Sequence, residues 1–182
     1  MRRLSIMMIP IVALCTSCSG PIETRIKTQS GATLPAQKQY NFTAKPEQDS
    51  AIYQTARKAV AAALAEKNFS MADDAPILVH IALASRPASI ALTKGSEDNL
   101  KTIAAPKKRK PLQSCDDVEH RLIINMVNSA DGATVYFGSA AEYHCKGTMS
   151  QSLPHLVNGA LSNLGRSDSV NEEKTRTRAG IE

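Results

Sequence analysis

The side chains with the most reactive chemistry in this 182-residue chain fall in two short stretches, Cys115-Asp116-Asp117 with Glu119-His120, and His144-Cys145. Two thiols can oxidise to a disulfide, sulfur with imidazole can ligate zinc, and carboxylate beside imidazole can act as acid and base. Spacing separates the three. Glu119–Val127 is apolar-rich, Ser129-Ala130-Asp131-Gly132 is a turn signal and Ala133–Tyr143 is strand-like again, which reads as an antiparallel hairpin. Pairing Asn128 with Ala133, or closing tightly on Asp131-Gly132, sets Cys115 nearly opposite Cys145 at the hairpin's open end. A bulge or the preceding loop can absorb the remaining slack. A disulfide is therefore expected, closing a loop of about 31 residues and contributing roughly 3 to 4 kcal/mol by the chain-entropy argument. Zinc is not expected. Cys115/His120 and His144/Cys145 follow no compact ligand spacing, adjacent strand residues face opposite ways, and the histidines read as surface groups.

Catalysis has little support in the sequence. It holds no G-x-S-x-G, no phosphate loop ending in Gly-Lys and no H-E-x-x-H. Gly165-Arg166-Ser167-Asp168-Ser169 only brushes the serine-elbow pattern and lacks a strand before it. Asp116-Asp117 beside His120 reads as loop solvation. No catalytic residue, metal or cofactor is expected.

The first residues carry an address. Arg2 and Arg3, an apolar run from Leu4 to Leu14 and the small pair Thr16-Ser17 lead to Cys18, a pattern that resembles a bacterial lipoprotein signal. The run of about 11 residues is short of the roughly 20 that a helix needs to cross a bilayer. The resemblance implies removal of residues 1–17, attachment of acyl chains such as palmitate to Cys18, and residence outside the cytoplasm. Several acyl chains hold a protein at a membrane where one does so only marginally. Ser19 is not the Asp that implies inner-membrane retention, so the outer membrane is expected. Cys15 leaves with the signal and Cys18 carries lipid, so Cys115 and Cys145 remain as an even pair in an oxidising compartment. Cys15-Thr16-Ser17-Cys18 also matches the C-x-x-C redox spacing, but no βαβ unit follows it.

Beyond the signal, one domain fits the remaining length. Without Arg2 and Arg3, 20 of the 22 Lys+Arg remain against 17 Asp+Glu, a mild excess that is no nucleic-acid signature. Tryptophan is absent and only 4% of residues are aromatic, too few for a dedicated platform for bases or sugars.

The elements that must position the corner can be read in turn. Residues 18–38 are polar and read as a lipidated tether with a strand candidate at Glu23–Gln29, and Gln37–Thr43 is a second short strand. Ile52, Ala56, Ala59, Val60, Ala63 and Leu64 recur at three and four, predicting an amphipathic helix over about 48–67, capped by Asp49 or Ser50 and closed by Lys67-Asn68. Pro76–Leu83 is apolar enough for a central strand. Residues 94–114 show no periodicity and read as a mobile loop, whose Lys107-Lys108-Arg109-Lys110 either simply solvate it or meet lipopolysaccharide phosphates, an anionic membrane or nucleic acid. Met149, Leu153, Leu156, Val157, Ala160, Leu161 and Leu164 form the stripe of a last helix. Thr148 and Gln151 fit a capping box, Pro154 moves the regular part to near Ser152, and Gly165 ends it. Residues 166–182 are charged and rich in Gly, Ser and Thr, and read as a disordered tail.

The expected fold is α+β: a single layer of mostly antiparallel sheet with two amphipathic helices on one face, over residues 39–165. Ala63-Leu64-Ala65-Glu66-Lys67-Asn68-Phe69, Ile77–Ile81 and Leu122–Val127, followed by Asp131-Gly132-Ala133-Thr134-Val135-Tyr136-Phe137-Gly138-Ser139-Ala140, resemble the small envelope lipoproteins of the domain of unknown function 4136 family. The resemblance spans about residues 24–165 and implies no catalytic residues. The expected function is that of a non-enzymatic lipoprotein on the periplasmic face of the outer membrane, held through the lipid on Cys18 and binding an envelope protein or anionic glycolipid, with no nucleic-acid partner. A periplasmic metal-binding protein or hydrolase using the His120/His144 corner is the alternative.

Overall fold

A computed structural model describes residues 21–43, 50–96, 99–109, 115–166 and 171–179. Cys18, Asp49 and Lys110 lie outside the described residues. In chain order the elements are β1 (Ile22–Ser30), β2 (Gln39–Phe42), α1 (Ala51–Ala65), β3 (Ser70–Met71), β4 (Ile77–Pro87), β5 (Leu92–Lys94), β6 (Lys101–Ala104), β7 (Val118–Asn128), β8 (Thr134–His144), α2 (Met149–Ala160) and β9 (Asn171–Arg178). Seven strands form one sheet in the order β3-β2-β4-β7-β8-β1-β9, and β5 and β6 form a separate hairpin. The class is α+β. The sheet is mixed: β2 runs parallel to β3 and β4, because α1 carries the chain over between them, while its other neighbours pair antiparallel.

Strand alternation divides the sheet into two faces. Ile26 of β1, Val79 and Ile81 of β4, Leu122, Ile124 and Met126 of β7, and Ala140 of β8 are buried with Val60 and Leu64 of α1 and Leu153, Leu156 and Val157 of α2 in one core cluster. Ser50 caps α1 by accepting from Tyr53 N. Beyond its C-cap, Asn68 adopts a left-handed conformation at φ 63°. The capping box expected at Thr148 and Gln151 is present. At its other end α2 settles on β8, where Tyr136 donates to Ala160 O at 2.7 Å. A Cβ at Gly138 would stand 1.9 Å from that same oxygen, so the close approach requires glycine.

Four expectations change. The helix begins at Met149 rather than near Ser152 and carries Pro154 inside it. The carbonyl that loses its N–H partner to the proline belongs to Ser150, an exposed residue that water reaches. The stretch read as a mobile loop holds the β5–β6 hairpin. The strand candidate at Glu23–Gln29 is β1, but it lies between β8 and β9 rather than in a tether, so the sheet begins at Ile22 rather than at residue 39. Its buried Thr24 and Thr28 alternate with charged neighbours, which made a core strand look polar. Finally, the segment read as a disordered tail contains β9, paired with β1 from Ile22↔Arg178 to Gln29↔Asn171. β9 has no apolar side chain, so composition hides it. Main-chain bonds and ion pairs hold it, and its charges guard the sheet edge.

β9 amides that bond to β1 should exchange with solvent orders of magnitude more slowly than in an unstructured peptide. Hydrogen exchange read residue by residue checks this, and peptide-like rates over Asn171–Arg178 would return the segment to a tail.

Candidate functional site

The β7–β8 register sets His120 opposite Glu142 and Val118 opposite His144. Residues two apart on a strand share a face, so His120, Glu142 and His144 all turn toward the helices. The expectation of surface histidines is corrected. His120 is 5% exposed and His144 7%, and their rings meet edge to face with centroids 4.7 Å apart. The reason is the parity of β8, which turns Gly138, Ala140, Glu142 and His144 toward the helix layer. A Cβ at Gly147 would lie 2.3 Å from the His144 ring, so the chain leaving β8 packs directly on the imidazole.

Ser152, in the first turns of α2 and itself fully buried, joins the group. Its Oγ lies 2.7 Å from His144 Nε2 and 3.3 Å from His120 Nδ1. One hydroxyl has one proton to donate and two lone pairs to accept with. It bridges the two rings, and which of them donates follows the tautomers. His144 Nδ1 is buried with no hydrogen-bond partner.

Glu142 is fully buried. Thr24 Oγ1 donates to it at 2.9 Å, and Arg178 of β9 grips it with Nε at 3.1 Å and Nη2 at 2.9 Å. Burial pushes the carboxyl's pKa up, but the bonds from Arg178, Ser152 and Thr24 outweigh it and hold the pKa below the usual carboxylate range. Burial holds both histidines below their ordinary value, against the opposing pull of Glu142, and for His144 the neighbouring His120 adds to the lowering.

On the opposite face Glu119, 1% exposed, is ion-paired with Arg86 and with Arg121 Nε at 2.7 Å. Burial raises its pKa, yet the hydrogen bond from Arg121, with those from Tyr143 and Arg86, leaves it lowered. Tyr143 lies between two cations, the Arg25 guanidinium and the Lys107 ammonium, each 4.8 Å from its ring centroid. Lys107 of the basic run is thus drawn into the fold. Lys107 also pairs with Asp117 at 3.3 Å and Arg109 with Asp116 at 3.7 Å, whereas Lys108 is exposed. Asp116 and Asp117, read as loop solvation, are counter-ions of that run.

Cys115 and Cys145 stand at disulfide distance, with Sγ atoms 2.04 Å and Cα atoms 5.6 Å apart, where the hairpin register placed them. Among the described residues no three or more His, Cys, Asp or Glu side chains converge on a metal position. Sequence reasoning missed Ser152, Glu142 and Arg178. Only the parity of β8 signalled them, since a Glu two residues from Ala140 on the core face needs a buried partner.

The histidine arrangement fixes a sign of pH dependence. In the unfolded chain both return to about 6.5 and take up protons that the native state refuses, so stability present above that pH is lost as pH falls toward the lowered native values. The urea midpoint should fall between about pH 7 and pH 5, and the fall should be shallower in His144→Asn. A flat midpoint across this window would count against the buried pair. Cys145→Ser should cost about 3 kcal/mol in the same assay, and no loss would mean that the pair is not bridged.

The chain matches no known family profile and no curated protein sequence. Among solved structures it is similar to a PDZ domain protein from Parabacteroides distasonis, with a TM-score of 0.56 and 8% identity, over 86% of this chain and 39% of that one. The chain therefore spans well under half the length of that relative. PelC dodecamers from Paraburkholderia phytofirmans align over 75% and 76% of this chain and 95% of theirs, at 12% and 13% identity, with a TM-score of 0.45 in each case. At these identities the first likeness is one of fold alone.

Proposed function

We propose that this chain is a non-enzymatic envelope lipoprotein of the kind grouped in the domain of unknown function 4136 family. It would be exported, acylated at Cys18 and held on the periplasmic face of the outer membrane, where its domain binds an envelope protein or an anionic glycolipid. The observation that carries the reading is the cysteine pair. Cys115 and Cys145 stand at disulfide distance, and a structural disulfide belongs to an oxidising compartment. The arginine-led apolar run before Cys18 agrees with the same address.

The burial of Ser152 also favours a binding domain over the hydrolase alternative. A catalytic serine must reach its substrate. Here Ser152 is closed to solvent against both imidazoles. A zinc reading of the corner meets the same difficulty, since His144 Nε2 and His120 Nδ1 are occupied with Ser152 and both sulfurs with each other.

Intact mass of the protein taken from its native membrane, before and after reduction and alkylation, tests the reading. The expected result is a chain beginning at acylated Cys18 that gains two alkyl groups only after reduction. Retention of Met1 would overturn export and anchorage, and alkylation of both thiols without reductant would overturn the bridge.

A further inference from the structure

We propose that the β5–β6 hairpin rests on an anionic phospholipid surface, with its apolar side chains in the headgroup layer and its lysines on the phosphates. Of the five exposed large apolar residues among those described, Leu92 at 43%, Leu100 at 58% and Ile103 at 56% sit on this hairpin, and Ile90 at 57% lies two residues before it. Exposed apolar side chains gathered on one short segment mark a docking surface. A second observation gives the partner its charge. Lys94 is the direct cross-strand neighbour of Lys101, and both are exposed. Like charges set opposite each other destabilise a ladder, and phosphates lying over the pair remove that repulsion. Lys108 adds a third exposed cation, while residues 88–109 contain Glu97 and Asp98 as their only acids. Apolar side chains interleaved with cations are the chemistry by which a segment binds the interface of an anionic bilayer.

Placement agrees with this. Arg86, Glu119, Tyr143 and Glu23 form one row across β4, β7, β8 and β1. The hairpin leaves β4 just beyond Arg86, and β1 begins at Ile22, next to Glu23, so both depart from the same end of the sheet. Resting on the lipoprotein reading, Cys18 lies four residues before Ile22, a span of at most about 14 Å when extended. Acyl chains and hairpin would then meet the same membrane, the lipid supplying attachment and the hairpin fixing the orientation of the domain.

The test uses the chain from residue 18 onward carrying Cys18→Ser, so that no acyl chain contributes. It is floated with vesicles of phosphatidylcholine alone or mixed with phosphatidylglycerol. Binding is expected to the phosphatidylglycerol vesicles and to weaken with added salt. Leu100→Ser with Ile103→Ser should lower partitioning about tenfold or more. Lys94→Gln with Lys101→Gln should lower it about fivefold for each lysine. Unchanged circular dichroism would show that these surface variants keep the fold. Absence of flotation, or flotation indifferent to both pairs of substitutions, overturns the proposal, as does capture of an envelope protein by a hairpin that ignores vesicles. Acylation is read separately by mass, so a protein lipidated on Cys18 whose Ser variant ignores vesicles refutes the hairpin alone. An unacylated protein whose hairpin binds vesicles refutes the anchor alone.

Discussion

A single carboxylate with no exposure to solvent, Glu142, ties together parts of the chain that composition assigns to different fates. It takes Thr24 from β1 and Arg178 from β9. A buried charge is stable only when its desolvation is met by opposite charge and hydrogen bonds. That requirement gives β9, which buries no apolar residue, a fixed place on the sheet. Beside the carboxylate, Ser152 of α2 bridges both imidazoles. A second carboxylate at this end of the sheet, Glu119, plays the same part on the other face with Arg86, Arg121 and Tyr143.

The two ends of the sheet therefore differ in physics. Toward Met126, Ile77 and Leu164 the core is closed by apolar packing in the usual way. Toward Tyr143 and His144 it is closed by ion pairs, paired histidines and the cysteine bridge. The polar end is also where the chain enters the sheet at Ile22 and where the β5–β6 hairpin departs. Were the domain held by lipid at that end, as proposed, stiffness there would keep its surface features at a constant height and orientation.

Much of the fold was legible where packing follows periodicity. α1, α2, the central β4 and the β7–β8 hairpin each have apolar spacing that matches their element, and the hairpin register alone brought Cys115 to Cys145. Legibility failed where hydrogen bonding and charge replace apolar burial. β9 reads as Asn-Glu-Glu-Lys-Thr-Arg-Thr-Arg, and nothing local distinguishes it from a solvated tail. β1 was legible as a strand, but its buried threonines hid its place within the sheet, and Pro154 looked like a helix boundary because its lost bond could be assigned to water only once Ser150 was seen to be exposed. The site divided in the same way. The histidines were visible as residues, but their burial depends on strand parity and on Ser152 from another element.

The claim that this end is organised by a buried carboxylate is tested most directly by a double-mutant cycle on Glu142→Ala and Arg178→Ala, read by urea unfolding. Each single change should cost about 3 kcal/mol because it leaves a buried charge uncompensated, and the double change should cost little more than either, a coupling of about 2 kcal/mol or more. A coupling of about 0.5 kcal/mol or less, as in exposed ion pairs, would contradict the account and leave β9 as an accessory to the sheet.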